Sequence, residues 1–181
     1  MPDGLIDVIK VLQAELKQHG RHQVTWVKPE SIHLTLKFLG DIDPARVDDI
    51  KAELNASAQG IEPFSLSVEG VGGFPNLKTP RVIWVGVNRN EALYKLQKNI
   101  EERLSKIGFE KEGKPFHPHL TLCRIRTIGD SKELGKAVTE LNPEINLDFK
   151  VNSFRLYKSV LSPKGAEYTI LHEIFLGNKA D

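Results

Sequence analysis

The tetrapeptide His-Leu-Thr-Leu occurs twice in the chain, at residues 33–36 and 119–122, inside a repeated order of predicted elements. Such a repeat constrains a fold more than any single motif, because each copy must find the same kind of partner for its apolar face. Leu5, Ile9, Leu12 and Leu16 recur at helical spacing, and so do Leu93, Leu96, Ile100 and Leu104. Gly20 and Gly108 stand where helices commonly stop. A histidine strand follows each helix. Asp43-Pro44 then reads as the cap and first turn of a helix with Val47, Ile50 and Leu54 on its stripe; Asp130-Ser131 opens one carrying Leu134, Val138 and Leu141. Two strands around a Pro/Gly turn close each half: 64–70 and 81–87 around residues 72–76, and 148–157 and 167–175 around residues 162–165. The order helix, strand, helix, strand, strand is therefore predicted twice.

Successive side chains of an extended strand point to opposite faces. Each copy of the tetrapeptide thus offers its His and Thr to one face and two leucines to the other. An isolated histidine is more often a packing or surface residue than a catalyst. Two copies of the same polar pair, one in each half of a repeat, go beyond what a symmetric core needs. Imidazole titrates near pH 6.5, about where one ring can act as base while another acts as acid. An anion between two such rings favours protonating one of them, so the pair titrates as a coupled unit. His33 and His119 are therefore the candidate acid–base pair. Thr35 and Thr121 are candidate hydrogen-bond donors to the anion's oxygens.

The chain resembles the two-histidine phosphoesterase superfamily, defined by paired His-x-Thr-x motifs, and within it the bacterial and archaeal RNA 2′,3′-cyclic phosphodiesterases, historically called 2′-5′ RNA ligases. The resemblance runs from Leu5 to about Phe175. It includes residues 33–40, Gly73-Phe-Pro-Asn76, Pro80-Arg-Val-Ile-Trp84, and the turn 161–165 with Tyr168. It implies hydrolysis of a ribose 2′,3′-cyclic phosphate at the 3′ oxygen, leaving a 2′-phosphate. His33 would be proton donor and His119 proton acceptor. The residue pattern alone is nearly symmetric and leaves that direction open. The reverse condensation with a 5′-hydroxyl end would use the same groups. The implied partner is RNA ending in a 2′,3′-cyclic phosphate, tRNA halves among the candidates. The family also places a functional arginine at Arg124. Strict strand parity puts an offset of five from His119 on the opposite face, unless a bulge intervenes. Phe38, at the matching place after His33, is a candidate base-stacking residue that reads more readily as core. Arg81 and Tyr168 are further candidate RNA contacts carried by the resemblance. Members usually begin with an apolar strand before the first helix; here residues 1–4 lead almost directly into it, so either the start is truncated or another segment takes that slot.

The remaining features bound the alternatives. A chain of 181 residues with 40% hydrophobic and 27% charged residues suits one core, or two small lobes sharing a cleft. No apolar run is long enough for a membrane span, and no secretory signal stands at the N-terminus. The single Cys123 excludes an internal disulfide and suits a reducing cytoplasm. A net charge of +1 excludes a global basic field, so RNA contacts must be local, with Lys37, Lys78, Arg81, Arg124, Arg126, Lys158 and Lys164 as candidates. His117 and His119 share a strand face, and Cys123 joins them by parity, but no metal-ligand motif accompanies them. No metal and no cofactor are expected. Cys123 beside a leucine-rich strand reads as inert, and no nucleophile elbow or P-loop is present. A non-catalytic RNA-end binder and a phosphodiesterase acting on small cyclic nucleotides are the competing readings. His19, His22 and His172 read as surface or packing residues.

The expected architecture is α+β, a single bilobal domain over residues 1–181 built from duplicated halves of about 1–88 and 89–181. Each lobe is an antiparallel sheet with outer helices. The His-Thr strands are expected on facing sheets that line a central groove. A cytoplasmic monomer is expected.

Overall fold

The computed structural model describes residues 2–19, 23–162 and 165–177. Gly20 and His22, and Pro163 and Lys164 of the second Pro/Gly turn, lie outside the described residues. The chain is α+β, and two compact units share it: residues 1–34, 67–88 and 118–149 form one, and residues 35–66, 89–117 and 150–181 the other. Both units draw on both halves of the sequence.

The first unit contains helix α1 (Asp3–Lys17), strand β1 (Val24–Trp26), most of β2 (Phe64–Phe74), β3 (Val82–Val87), β4 (His119–Ile125), helix α4 (Ile128–Leu141) and the start of β5 (Asn146–Val151). The five strands form one sheet in the order β1-β4-β3-β2-β5. The stripe Leu5, Ile9, Leu12 and Leu16 of α1 is buried, as the helical spacing requires. Fully burying side chains of this size stabilises the unit by roughly 1.5–3 kcal/mol each. Gln13 interrupts the stripe and is buried too. Its amide donates to the backbone oxygens of Val27 (2.8 Å) and Leu122 (3.0 Å), tying α1 to β4.

Helix α4 starts earlier than the Asp130-Ser131 reading. Thr127 is the cap, and its side chain accepts from the Asp130 amide at 3.4 Å. Asp130 sits in the first turn, buried, where its carboxylate accepts from the Gln23 amide (3.2 Å) and the Thr127 hydroxyl. Leu134, Ala137 and Val138 are buried while Leu141 is exposed, so the apolar face is one turn shorter than the spacing suggests. Ser131 donates to the Pro80 oxygen at 2.7 Å, and Gly135 lies against the Leu77 carbonyl.

The second unit contains helix α2 (Val47–Ser57), helix α3 (Glu91–Lys106) and the hairpin β6 (Ser153–Ser162) and β7 (Gly165–Phe175), which is a separate two-stranded sheet. The strand expected over 148–157 is in fact two, β5 and β6, separated at Asn152 and assigned to different sheets. Asp43 accepts from the Ala45 amide at 2.9 Å and opens a single 3-10 turn (Pro44–Arg46) before α2. Asn90 caps α3, accepting from the Leu93 amide at 3.0 Å. Ile50, Leu54, Leu96, Ile100, Leu104, Ile174 and Leu176 form the core of this unit, and Leu36 of the first tetrapeptide packs against it. Among the described residues no helix is long and apolar enough to cross a membrane.

The close fit of α4 yields a test. A Cβ built on Gly135 would stand 1.9 Å from the Leu77 carbonyl oxygen, which is backbone and cannot swing away. Gly135→Ala is expected to destabilise the fold by about 1–3 kcal/mol, as overpacking does, lowering Tm by roughly 2–4 °C per kcal/mol. Calorimetry checks this; an unchanged or raised Tm would show that the helix does not press on that turn.

Candidate active site

The second tetrapeptide forms the start of β4, with ladders on either side. Gly86 pairs with His119, Trp84 with Thr121, and Val82 with Arg124 on β3, while β1 pairs Thr25 with Arg124 on the other edge. His119 and Thr121 are half-buried on one face; Leu120 and Leu122 are buried on the other. The first tetrapeptide is not a strand. It contributes one antiparallel backbone bridge, Leu34 to Leu120, along the edge of β4 that β1 occupies further on. The two motifs are therefore edge-to-edge neighbours rather than members of facing sheets.

That bridge fixes which side chains share a face. Residues directly opposed in an antiparallel pair point the same way, and their neighbours point the other way. Leu34 and Leu120 occupy one side, so His33 is level with Thr121 on the other, and His119 lies diagonally from His33. Diagonal positions of an antiparallel pair stand about 7–8 Å apart. A phosphate can contact both imidazoles across such a gap. The Nδ1–H of His33 donates to the Ser31 oxygen at 2.8 Å. With Nδ1 engaged in this way, Nε2 is the ring atom suited to proton exchange. Thr35 follows two residues after His33, as the first residue of the second unit, and is half-buried.

Arg124 is on the same face as His119, for a reason parity alone could not supply. The β3–β4 register shifts between Ile83, opposite Cys123, and Trp84, opposite Thr121. Leu122 is the extra residue of a bulge, which reverses the alternation beyond it. Its carbonyl accepts from the Val27 amide (3.0 Å) and from the Gln13 amide group, so the bulge is hydrogen-bonded in place. Leu122 and Cys123 are both buried, and Arg124 emerges exposed on the His119 side. Cys123 is accordingly removed from the histidine face, contrary to the parity reading. Arg81 is exposed just before β3; its amide donates to the Phe74 oxygen at 2.6 Å.

Two aromatic rings flank His119. The Phe74 ring stands 5.0 Å from the imidazole, edge to face, and the Trp84 ring 6.3 Å away. The sequence pattern by itself singles out neither. Both lie in segments of the family resemblance, and Trp84 shares the face of Thr121, a register no single strand reveals.

In the second unit, Phe38 is 70% exposed, contrary to its reading as core. Tyr168 is exposed on β7, with its ring 6.0 Å from that of Tyr157. Lys37 is not a surface cation. It is buried, its Nζ donating to Glu101 Oε2 and to the Glu110 oxygen, both at 2.7 Å. Glu101 also accepts from the Gln97 side chain and the Glu112 amide, each at 3.2 Å. The pair anchors the segment after Thr35 to α3, which excludes Lys37 as an RNA contact. His172 Nε2 contacts Asn55 Oδ1 at 3.0 Å. Among the described residues, no group of three or more His, Cys, Asp or Glu side chains is placed to hold a metal ion.

Likeness to known proteins decides the family. The model of LigT-like phosphoesterases matches twice, over residues 1–84 and 85–168, with one tetrapeptide in each match. The chain belongs to the LigT-like phosphoesterase family. It is 36% identical over 166 residues to the RNA 2′,3′-cyclic phosphodiesterase of Archaeoglobus fulgidus, covering 92% of this chain and 90% of that one. It is 35% identical over 176 residues to the protein of that name from Methanothermobacter thermautotrophicus, covering 97% and 94%. Among solved structures, a Thermus thermophilus protein superposes with a TM-score of 0.80 at 27% identity, covering 97% of this chain and 93% of that chain. E. coli LigT complexed with 3′-AMP gives 0.77 at 25% identity, covering 98% and 94%.

Cys123 provides the test of the bulge. Burial pushes its thiol up to about 12, opposed weakly by a hydrogen bond with the Ile83 backbone. The native thiol is expected to resist alkylation by iodoacetamide at pH 8 and to react on unfolding, since the thiolate is the nucleophile. Because the folded value exceeds that of a free thiol, burial of Cys123 adds stability below about pH 9 that is lost as pH rises towards about 12. Rapid alkylation of the folded protein would put Cys123 back on the open face.

Proposed function

We propose that the protein is an RNA 2′,3′-cyclic phosphodiesterase that hydrolyses cyclic phosphate ends to 2′-phosphates without a metal ion. Its membership of the LigT-like family and its likeness to phosphodiesterases of that name support the reaction class. The single observation that supports the mechanism is the Leu34–Leu120 bridge, from which His33, His119 and Thr121 are read as sharing one face.

In the forward reaction, neutral His119 takes a proton from water as the water oxygen attacks phosphorus. The bond from phosphorus to the 3′ oxygen breaks, and His33 Nε2–H donates its proton to that oxygen. The products are a 2′-phosphate monoester and a free 3′-hydroxyl. His119 leaves the cycle protonated and His33 neutral; exchange with solvent restores both. A positioned acid or base of this kind contributes about 10²- to 10⁴-fold. Thr35 and Thr121 donate hydrogen bonds to the non-bridging oxygens. The guanidinium of Arg124 adds a charge-assisted contact to the phosphate. Phe38 and Tyr168 offer exposed rings for stacking on splayed bases, and Arg81 offers a cation to the RNA backbone. The reverse joining of a cyclic phosphate to a 5′-hydroxyl end uses the same groups, and hydrolysis dominates unless two RNA ends are held together. tRNA halves are the proposed physiological class of substrate. The working form is a cytoplasmic monomer acting as one domain of two duplicated halves, in keeping with the double family match.

The test is turnover of RNA ending in a 2′,3′-cyclic phosphate, with excess EDTA and end-group analysis of the product. A 2′-phosphate product is expected, with kcat/KM lowered about 10²- to 10⁴-fold by either His33→Ala or His119→Ala in folded protein. Tight RNA binding without turnover would favour an end-binding protein. Loss of activity in EDTA would overturn the metal-free mechanism.

A further inference from the structure

We infer that Trp84 is a positioning residue for His119, and that Gly72 is a glycine so that the indole can be seated there; the inference rests on the phosphodiesterase reading. Trp84 stands between Gly72 on β2 and Thr121 on β4 in register, with Gly86 opposite His119. A Cβ on Gly72 would lie 2.2, 2.4 and 2.7 Å from Cη2, Cζ2 and Cζ3 of the indole, distances no side chain tolerates. A Cβ on Gly86 would meet the same ring at 3.4 Å, and the Glu69 carbonyl oxygen at 2.7 Å. Gly72 has no left-handed backbone, so what excludes a side chain there is the indole itself. Gly72 leaves the recess in which the indole lies back across the strands, and at Gly86 it is the Glu69 carbonyl that excludes a side chain.

Seated this way, the indole leans on Phe74 (5.1 Å between ring centres), and both rings flank the imidazole. A base that removes a proton from water must be held in line with the attacked phosphorus, and misplacement by about 1 Å can cost about 10²-fold in rate. The aromatic corner limits that misplacement for the His119 ring.

The experiment compares Gly72→Ala, Trp84→Ala, Trp84→Phe and the double variant Gly72→Ala/Trp84→Phe. A phenyl ring lacks the distal indole edge that the alanine methyl would strike. Gly72→Ala and Trp84→Ala are expected to lower kcat about tenfold or more while KM stays within about threefold. The double variant is expected to recover most of the rate lost by Gly72→Ala. In proton NMR, the cross-relaxation between the His119 and Phe74 rings is expected to weaken in Trp84→Ala while the contacts of the His33 ring stay. A purely structural role would lower Tm without that selective loss. A kcat within about twofold of wild type in both single variants, a loss confined to KM, or an unchanged His119–Phe74 contact would each overturn the inference. If wild type turns over no cyclic phosphate, the functional reading fails, and the NMR comparison still decides whether the indole sets the ring.

Discussion

One backbone bridge, between Leu34 and Leu120, is the constraint on which the rest of the site depends. Two histidines far apart in sequence can share a phosphate only if their strands are brought side by side with the same face outward. In an antiparallel pair this is decided by register, and a slip of one residue would turn His33 towards the leucine side. The leucines supply the cost of slipping. Leu120 and Leu122 are buried, and moving either to the open face would forfeit roughly 1.5–3 kcal/mol. The buried leucines of the second tetrapeptide thus hold its polar half in place, while Leu34 and Leu36 of the first are half-buried.

The two motifs are held by different means, although their sequences are identical. The second lies in a continuous strand with neighbours on both sides. Its bulge at Leu122 is hydrogen-bonded by a glutamine from α1, and that irregularity returns Arg124 to the open face. The first lacks a ladder. His33 is oriented by the Ser31 carbonyl, and the segment that follows is anchored in the second unit by the desolvated Lys37–Glu101 pair. A buried pair of this kind adds little net stability when complete but costs about 3–5 kcal/mol when one partner is removed. Its effect is to fix where the chain runs after Thr35.

What can be read from the sequence divides along a physical line. Helical periodicity locates α1 and α3 to within a few residues, because each buries four apolar residues on one stripe. The tetrapeptides suggest the proposed chemistry because the pattern of alternate residues is local. Features that depend on a neighbouring strand are not legible. Gly70 reads as the end of a strand, yet it has φ +65° and marks a bulge through which β2 continues to Phe74. Unbroken parity would put Cys123 on the histidine face, and only the partner strand's register reveals the break. Thr127, not Asp130, caps α4, since either residue type satisfies the same rule. The exposure of Phe38 and the burial of Lys37 reverse what hydropathy suggests for adjacent residues. The buried Gln13, breaking an otherwise apolar helix stripe, is the one local sign that a backbone irregularity lies beneath it.

The most direct measurement is a crystal structure of the protein with a nucleoside 2′-monophosphate, the product end of the proposed reaction. One phosphate is expected, its oxygens within hydrogen-bond reach of both His33 Nε2 and the His119 ring, with the Thr121 hydroxyl as a third contact. A phosphate held by only one imidazole, or bound away from the sheet face that His33 and His119 share, would contradict the shared-face mechanism.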